Sequence, residues 1–293
     1  ERYIKECEMA GYEKEMNCIA QKWLILAMQQ MVPEILRKNP TVLLNVIMKN
    51  IWINLGLMSD LCAIKDKNIV KIRTKNEVPT KIIGKNRFII GFYTGILNVL
   101  FKSQIEFVKA LYSNEHNEYI FRIVNKSFNS IPSKEKELYN NLNHMPKIKG
   151  FNLKDALKKG IVQLKGNRIY FRGKPLIAGE NTLSHLISSS GVMLEKIAPL
   201  SYNCFKEIIT KDSTEEEKLI LIKTLLQVMG WGIIKIIKSK GFIHVDIKNP
   251  PYGLQAENDN WEFLTRVILG YLWLLDKNFK VKNVNKGYKK LII

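Results

Sequence analysis

Residues that ligate metals or form disulfides are scarce in this chain of 293 residues, which has four cysteines and four histidines. Cys7, Cys18, Cys62 and Cys204 are widely separated, no CxxC pair occurs, and no histidine stands at metal-ligand spacing from them. This pattern argues against a zinc knuckle or a secreted disulfide framework and predicts a protein of the reducing cytoplasm. We therefore expect neither a metal site nor a cofactor.

A hydrophobic run long enough for a membrane span is also missing. The most apolar stretch, 219–237, is interrupted by Lys223 and Lys235 and contains Gly230 and Gly232. About 20 predominantly apolar residues are needed to cross a bilayer as a helix. The sequence therefore predicts no membrane span.

Arginine is scarce and acidic residues are outnumbered: there are 46 Lys+Arg against 27 Asp+Glu, a net charge of +19, and most of the cations are lysines. Arginine reads guanine edges and clamps phosphates bidentately, so a lysine-dominated surface fits diffuse attraction better than sequence-specific recognition. Two interpretations stay open. Either the lysines reflect a biased genome composition, or their field attracts an acidic protein or a polyanion such as nucleic acid.

An internal repeat is the most informative feature that is present. Residues 56–76 align with 230–249 at an offset of about 173 positions with one gap, and FIIGFYTGIL (88–97) aligns with FLTRVILGYL (263–272). Two further blocks follow in each copy, 105–111 with 279–284 and 119–124 with 288–293. Such self-similarity predicts one structural unit occurring twice.

The repeated blocks predict strands followed by a core helix. Apolar and polar residues alternate over 69–74 and 242–247, which is typical of a strand with one buried and one solvated face. The stretches 88–101 and 263–275 are apolar and lack proline, which predicts a largely buried helix. Gly91 and Gly95 form a flat stripe that we expect to press on the sheet; Arg266 replaces the first glycine in the second copy. The predicted fold class is α+β, in two tandem domains, each an antiparallel sheet backed by helices.

The boundary between the copies is predicted in a polar segment. Residues 125–149 contain Pro132 and Pro146 and form the predicted linker between a first domain, 1–124, and a second domain, 150–293. Residues 161–179 predict a strand-rich opening of the second domain. Ser213 before three glutamates predicts a helix N-cap. Because the chain begins with Glu1, we expect the natural N-terminus to lie upstream.

A family resemblance rests on the second copy, where seven residues stand in order: Gly230, Trp231, Gly232, Asn249, Pro250, Phe263 and Gly270. This order resembles the vinyl-reductase-like, hydrocarbon-binding domain family, which includes aromatic-responsive sensor domains and is similar in fold to Golgi-transport tethering subunits. Many members carry cysteines near the core helix and the last strands. Here those regions hold Trp261, Tyr288 and Tyr119 instead, so the resemblance implies no metal or haem.

The resemblance implies an apolar pocket between helices and sheet that takes a small hydrophobic ligand. It also implies that domains pair, within the chain or in a homodimer. The wall of the pocket in the second domain would come from the GWG segment and the core helix: Trp231, Phe263, Val267, Tyr271 and Leu274. The predicted function is non-catalytic ligand binding or sensing. The alternative is an adaptor whose lysine-rich surface binds an acidic protein partner or nucleic acid.

Signals for catalysis are weak in the sequence. Residues 241–249, GFIHVDIKN, resemble a kinase catalytic loop, but Pro251 stands where a magnesium-binding asparagine is needed. His244 and Asp246 share a strand face and form a candidate acid–base pair, although the first copy carries Lys71 and Arg73 there. Core packing of the aromatic residues remains the alternative to a pocket.

Overall fold

The structure of the protein is a computed structural model that describes residues 1–128, 153–165, 168–176, 181–209, 213–239, 241–248, 261–285 and 290–292. The chain divides into two units, Glu1–Lys136 and Glu137–Ile293, and each is described by itself. The division falls within the predicted linker 125–149, most of which lies outside the described residues.

Helices form one layer of the first unit. They are α1 (Arg2–Met9), α2 (Glu13–Met31), a 3-10 turn (Glu34–Lys38), α3 (Pro40–Val42), a π-helical turn (Leu43–Met48), α4 (Lys49–Asn54), α5 (Val78–Ile83) and α6 (Arg87–Phe101). Pro40 stands at the first helical position of α3, where a missing N–H costs nothing.

An antiparallel sheet of four strands forms the other layer. Its strands are β1 (Asp60–Asp66), β2 (Ile69–Lys75), β3 (Ser103–Tyr112) and β4 (Asn117–Ser127), in the order β1-β2-β4-β3. The predicted alternation is confirmed, because Val70, Ile72 and Thr74 are buried while Arg73 is exposed. Strand β4 extends three residues beyond the predicted domain end at 124.

The core helix α6 is buried from Phe88 to Leu100. Asn86 caps it by accepting a hydrogen bond from the Ile89 N–H at 2.9 Å. Its glycines lie against α2 and not against the sheet as predicted: a Cβ at Gly91 or Gly95 would collide with the backbone of α2. The physical reason is that only a side chain of one hydrogen lets two helix backbones approach so closely.

The second unit contains a small sheet, a helical segment and a larger sheet. Its elements in chain order are α7 (Leu153–Lys158), β5 (Val162–Lys165), β6 (Arg168–Phe171), β7 (Lys174–Leu176), α8 (Asn181–Ser190), a 3-10 turn (Leu194–Lys196), α9 (Ile197–Lys206), α10 (Glu215–Val228), β8 (Ile233–Ser239), β9 (Phe242–Lys248), α11 (Glu262–Leu272), β10 (Asn283–Asn285) and β11 (Lys290–Ile292). Strands β5, β6 and β7 form the three-stranded sheet that opens this unit.

Thr214, and not Ser213, is the N-cap of α10. The Thr214 hydroxyl accepts the Glu217 N–H at 3.2 Å, and the Glu217 carboxylate accepts the Thr214 N–H at 2.8 Å. The prediction was one residue early: Ser213 and Thr214 each have a glutamate three residues later, and the hydrogen bonds show that Thr214 and Glu217 close the capping box.

The larger sheets of the two units have the same topology. In the second unit the order is β10-β11-β9-β8, so each unit pairs its first, second, fourth and third strands in that order. In the chain order of both units, the core helix lies between the second and third strands of the sheet. At Gly270 a Cβ would collide with the Ala198 carbonyl of α9, much as at Gly95 against Gln21 of α2. The α+β fold class is confirmed.

Candidate functional site

The five residues predicted as a ligand wall lie in or beside α11. Trp231 and Phe263 are half-buried and stack, with ring centroids 6.0 Å apart and planes inclined by 18°. Val267 and Tyr271 are buried, and the Tyr271 ring lies 3.7 Å from the Phe205 ring of α9, centroid to centroid. Leu274 follows the end of the helix. Trp231, Phe263 and Tyr271 thus make aromatic packing contacts, and the ligand wall stays a prediction.

Burial sets the protonation of Tyr271. Desolvation, with a smaller contribution from the nearby Cys204, raises the pKa of the Tyr271 phenol well above its usual range. The Cys204 side chain itself is exposed. The Tyr271 phenol is therefore held in its neutral form inside the second unit.

A large cavity lies in the first unit. This first-unit groove is open, has a volume of about 1140 Å³, and lies between α1, α2, the start of α6 and strand β3. Its apolar wall comprises Ile83, Ile90, Ile105, Phe107 and Tyr112, and its charged side chains are Lys5, Lys14, Lys85, Arg87, Glu8 and Glu13. None of the five predicted wall residues lines it.

Two cations of the groove lie against its aromatic wall. The Arg87 guanidinium is 5.8 Å from the Phe107 ring centroid, and the Lys85 ammonium is 5.7 Å from that of Tyr112. Cations at such distances are attracted by the ring face. The contacts hold two positive charges beside the apolar wall, where a bound molecule would meet both.

Glu8 joins α1 to the start of α6. Its carboxylate accepts the Phe88 N–H at 2.8 Å, where the helix dipole favours negative charge. Desolvation nevertheless raises the pKa of Glu8, and hydrogen bonds from the backbone of Phe88 and Arg87 oppose this rise. The carboxylate is therefore held at the groove wall at some electrostatic cost.

A buried carboxylate, Glu77, is the second notable feature of the first unit. It follows β2, is 1% exposed, and its Oε1 accepts hydrogen bonds from the Tyr93 hydroxyl at 2.6 Å and the Thr74 hydroxyl at 3.2 Å. Its Oε2 accepts from the Tyr119 and Thr80 hydroxyls and, at 3.5 Å, from the Asn117 amide. All five donors are uncharged. We call these six residues the Glu77 network.

The tyrosines of the Glu77 network stay protonated and donate. Burial, reinforced by the charge of Glu77, raises the pKa of Tyr93 and of Tyr119 far above the usual range. Their rings also contact each other, with centroids 5.1 Å apart. The carboxylate is thereby fixed in position by rigid phenols, since neither ring can turn without losing its packing.

A smaller cavity of about 360 Å³ adjoins the Glu77 network. It is lined by Glu77, Thr80 and Asn117, by Asn76, Lys81 and Gly84 around α5, and by the β3–β4 loop with Ser113, Asn114, Glu115 and His116. Lys85 and Tyr112 line both this cavity and the groove. The two spaces therefore meet at one lysine–tyrosine contact.

Other residues singled out by the sequence are placed on a strand face. His244 and Asp246 are half-buried on β9, and in the strand register Asp246 lies opposite Lys235 of β8 and Lys290 of β11. Asn249, Pro250 and Tyr288 lie outside the described residues. Within the described ranges no cluster of three or more His, Cys, Asp or Glu could hold a metal ion, and no helix there combines the length and hydropathy of a membrane span.

Sequence reasoning missed both Glu77 and the groove. A usable signal existed for the first: Thr74, Glu77 and Thr80 recur every third residue where a buried strand ends, and Tyr93 brings a hydroxyl into a mostly apolar helix. The groove had no such signal, because its lining comes from segments more than a hundred residues apart in the sequence.

Comparisons of the chain with protein-family models, with curated proteins and with solved structures found no match. The geometry of the groove, of the Glu77 network and of the stacked Trp231–Phe263 pair is therefore the basis on which a function is proposed.

Proposed function

We propose that the protein is a non-catalytic binding protein whose first-unit groove holds an acidic, partly apolar segment of a partner protein. The observation that carries this proposal is the groove itself: about 1140 Å³ of open space with an aliphatic and aromatic wall beside four cations. The proposal takes up the adaptor alternative that the sequence left open.

The dimensions of the groove favour a chain segment over a small molecule. Small-molecule sites are commonly about 300–1,000 Å³ and enclose most of the ligand surface. The groove is larger and open, and it follows β3, which lies at the edge of its sheet. An extended segment can lie beside an edge strand and place alternate side chains into the groove.

The charges of the groove favour an acidic segment. Lys5, Lys14, Lys85 and Arg87 outnumber Glu8 and Glu13 among its lining side chains, and the whole chain carries a net charge of +19. Complementary charge accelerates encounter and selects partners. Apolar side chains of the same segment would lie on Ile90, Ile105 and Phe107.

A fluorescence-anisotropy titration tests the proposal. The probe is a labelled peptide of alternating glutamate and valine, as long as β3, ten residues. We expect Lys85→Gln with Arg87→Gln to weaken its binding about tenfold, because two charged contacts of about 0.7 kcal/mol each are lost. The control pair, Lys65→Gln with Lys126→Gln, removes the same charge outside the groove and should leave the affinity unchanged.

Two results would contradict the proposal. Equal loss in both variants would show that the overall charge attracts the peptide wherever it lies. Equally tight binding of a glutamine–valine peptide would remove the role of the cations. A single-stranded oligonucleotide that binds more tightly than the peptide, with affinity falling steeply between about 50 and 200 mM NaCl, would favour polyanion binding instead.

A second candidate function, the binding of a small apolar ligand as the family resemblance implies, is favoured by the Trp231–Phe263 stack. Both rings are half-buried, so an apolar molecule could cover them further. Denaturing mass spectrometry of the purified protein should then release an apolar molecule, and Trp231→Ala with Tyr271→Ala should reduce the amount retained. Phe242→Ala, an exposed aromatic residue of the same unit, is the control. A ligand-free spectrum would remove this candidate.

A further inference from the structure

The smaller cavity of the first unit carries an inference independent of the groove. Its volume of about 360 Å³ is at the lower end of the range of small-molecule sites. It is lined almost wholly by polar side chains, in contrast to the groove. A molecule held there must therefore be small and must form hydrogen bonds over most of its surface.

The Glu77 carboxylate gives this cavity a rigid, buried acceptor. Taking a carboxylate out of water is costly, even when neutral donors satisfy its oxygens. The donor on the cavity side, the Asn117 amide, is also the most distant, at 3.5 Å. A ligand hydroxyl could therefore replace the Asn117 amide at that oxygen without displacing the shorter hydrogen bonds.

The second unit shows that the fold does not require this network. At the positions corresponding to Thr74 and Tyr93 in the repeat, the second unit has Ile247 and Ile268, both buried. The same topology is thus built with apolar residues at two of the network's hydroxyl positions, and at the offset of the hairpins Glu77 corresponds to Pro250 in the sequence. A costly buried carboxylate with no carboxylate at its counterpart in the repeat points to a role in binding.

The charges of the cavity lining balance. Glu77 and Glu115 match Lys81 and Lys85, and the neutral amides and hydroxyls supply both donors and acceptors. A lining without net charge selects neither anions nor cations. Balanced donors and acceptors, with the Tyr112 ring at the edge, suit an uncharged molecule that presents several hydroxyls around an aliphatic ring.

From this geometry we infer that the smaller cavity binds a compact, uncharged polyhydroxylated molecule, such as a monosaccharide or a cyclic polyol, with Glu77, Asn114 and Asn117 accepting from and donating to its hydroxyls. The inference does not depend on the peptide groove, because none of these three residues lines it.

Saturation-transfer difference NMR tests the inference, with D-glucose and myo-inositol as probes at millimolar concentration. We expect saturation transfer to at least one probe. Asn114→Ala should weaken its binding about threefold to tenfold, as the loss of one hydrogen bond predicts. Asn68→Ala, in the exposed β1–β2 turn outside the cavity, is the matched control and should bind as the unaltered chain does.

Glu77→Gln keeps the shape of the side chain and removes its charge. We expect it to weaken the binding of the same probe more than Asn114→Ala does, with an unchanged circular dichroism spectrum. If Glu77→Gln does not fold, the comparison of probe binding between Asn114→Ala and Asn68→Ala still tests the inference. Absence of saturation transfer, equal binding by both asparagine variants, or preferential binding of glycine or inorganic phosphate would each overturn the inference.

Discussion

The two units build the same sheet on different interiors. Hairpins β1–β2 and β8–β9 each pair seven residues with seven, at the offset of about 173 positions seen in the repeat. Val70 and Ile72 of the first hairpin are buried as Ile243 and Val245 are in the second. The comparison teaches that the hairpin, the core helix and a glycine at the helix crossing are what the shared topology requires.

The two units differ in the polar residues that they bury. The first unit buries the Glu77 network between its core helix and sheet, whereas the second has isoleucines at two of the corresponding positions. Strands β3 and β4 have ten and eleven residues, while the described strands β10 and β11 have three each. Since the groove follows β3, the candidate sites of the first unit depend on features that the described residues of the second unit do not show.

The largest effect is expected at the shared helix crossing. Gly95→Ala and Gly270→Ala should each lower the free energy of unfolding by about 3 kcal/mol, because a Cβ meets a backbone carbonyl that cannot move aside. Urea denaturation followed by circular dichroism measures this. Ile220→Ala, on the exposed face of α10, is the control: it also changes one helical side chain but meets no backbone carbonyl, so it should cost much less. A small effect at Gly270 alone would show that the two crossings are not equivalent.

A smaller effect is expected in the Glu77 network. Tyr93→Phe removes the hydroxyl that donates to Glu77 Oε1 and should cost about 2 kcal/mol, as for hydrogen bonds to charged groups. The same urea titration reports it. Tyr12→Phe, at a more exposed tyrosine of the same unit, should cost much less. If both variants unfold alike, the network contributes nothing beyond packing.

The next effect concerns the capping box of the second unit. Thr214→Ala should destabilise α10 by about 1 kcal/mol, because the Glu217 N–H loses its acceptor. Thermal unfolding by circular dichroism measures the change, and Thr214→Ser, which keeps the hydroxyl, should restore most of it. If Ser213→Ala lowers the stability more than Thr214→Ala does, then Ser213, the residue predicted from the sequence, is the N-cap.

The smallest effect is expected at the ion pair between Lys49 and Asp60, whose charged atoms are 2.6 Å apart. The hydrogen bond from Lys49 lowers the pKa of Asp60 below 3.8. Its stabilisation is therefore present above pH 3.8 and lost as the pH falls through the lower pKa of the folded state. Asp60→Asn should cost about 0.5 kcal/mol at neutral pH.

The pH and salt dependence of that variant provide its control. Near pH 2 the variant and the unaltered chain should unfold at the same urea concentration, and high salt should reduce the difference at neutral pH. A difference that persists under both conditions would mean that Asp60 acts through its shape and not through its charge.

The repeated strands and core helix were predictable because they depend on patterns that neighbouring residues carry, whereas the strand order comes from the structure. Alternation over 69–74 and 242–247 predicted both inner hairpin strands, and the repeat predicted that a core helix follows each. The Gly91–Gly95 stripe predicted a close approach but not the partner: α2 lies there, and helix glycines look the same whether a sheet or a helix packs on them. The family resemblance and the five-residue ligand wall remain predictions.

The candidate sites were not predictable from local patterns. Glu77 accepts from Tyr93 and Tyr119, which are distant in sequence, and a lone glutamate after a strand is usually solvated. The groove joins Lys5 on α1 to Lys85 and Tyr112 eighty and more residues later. No spacing rule brings such residues together.

By itself the sequence determined the class of fold, the duplication of its hairpin and core helix, and the strongly positive charge, since each follows from residue type and short-range order. Only the tertiary structure decided which faces meet, that a carboxylate is buried among phenols, and where open space remains. The reason is that burial and proximity are properties of packed segments, and the same residue type serves as core, surface or site according to what lies against it.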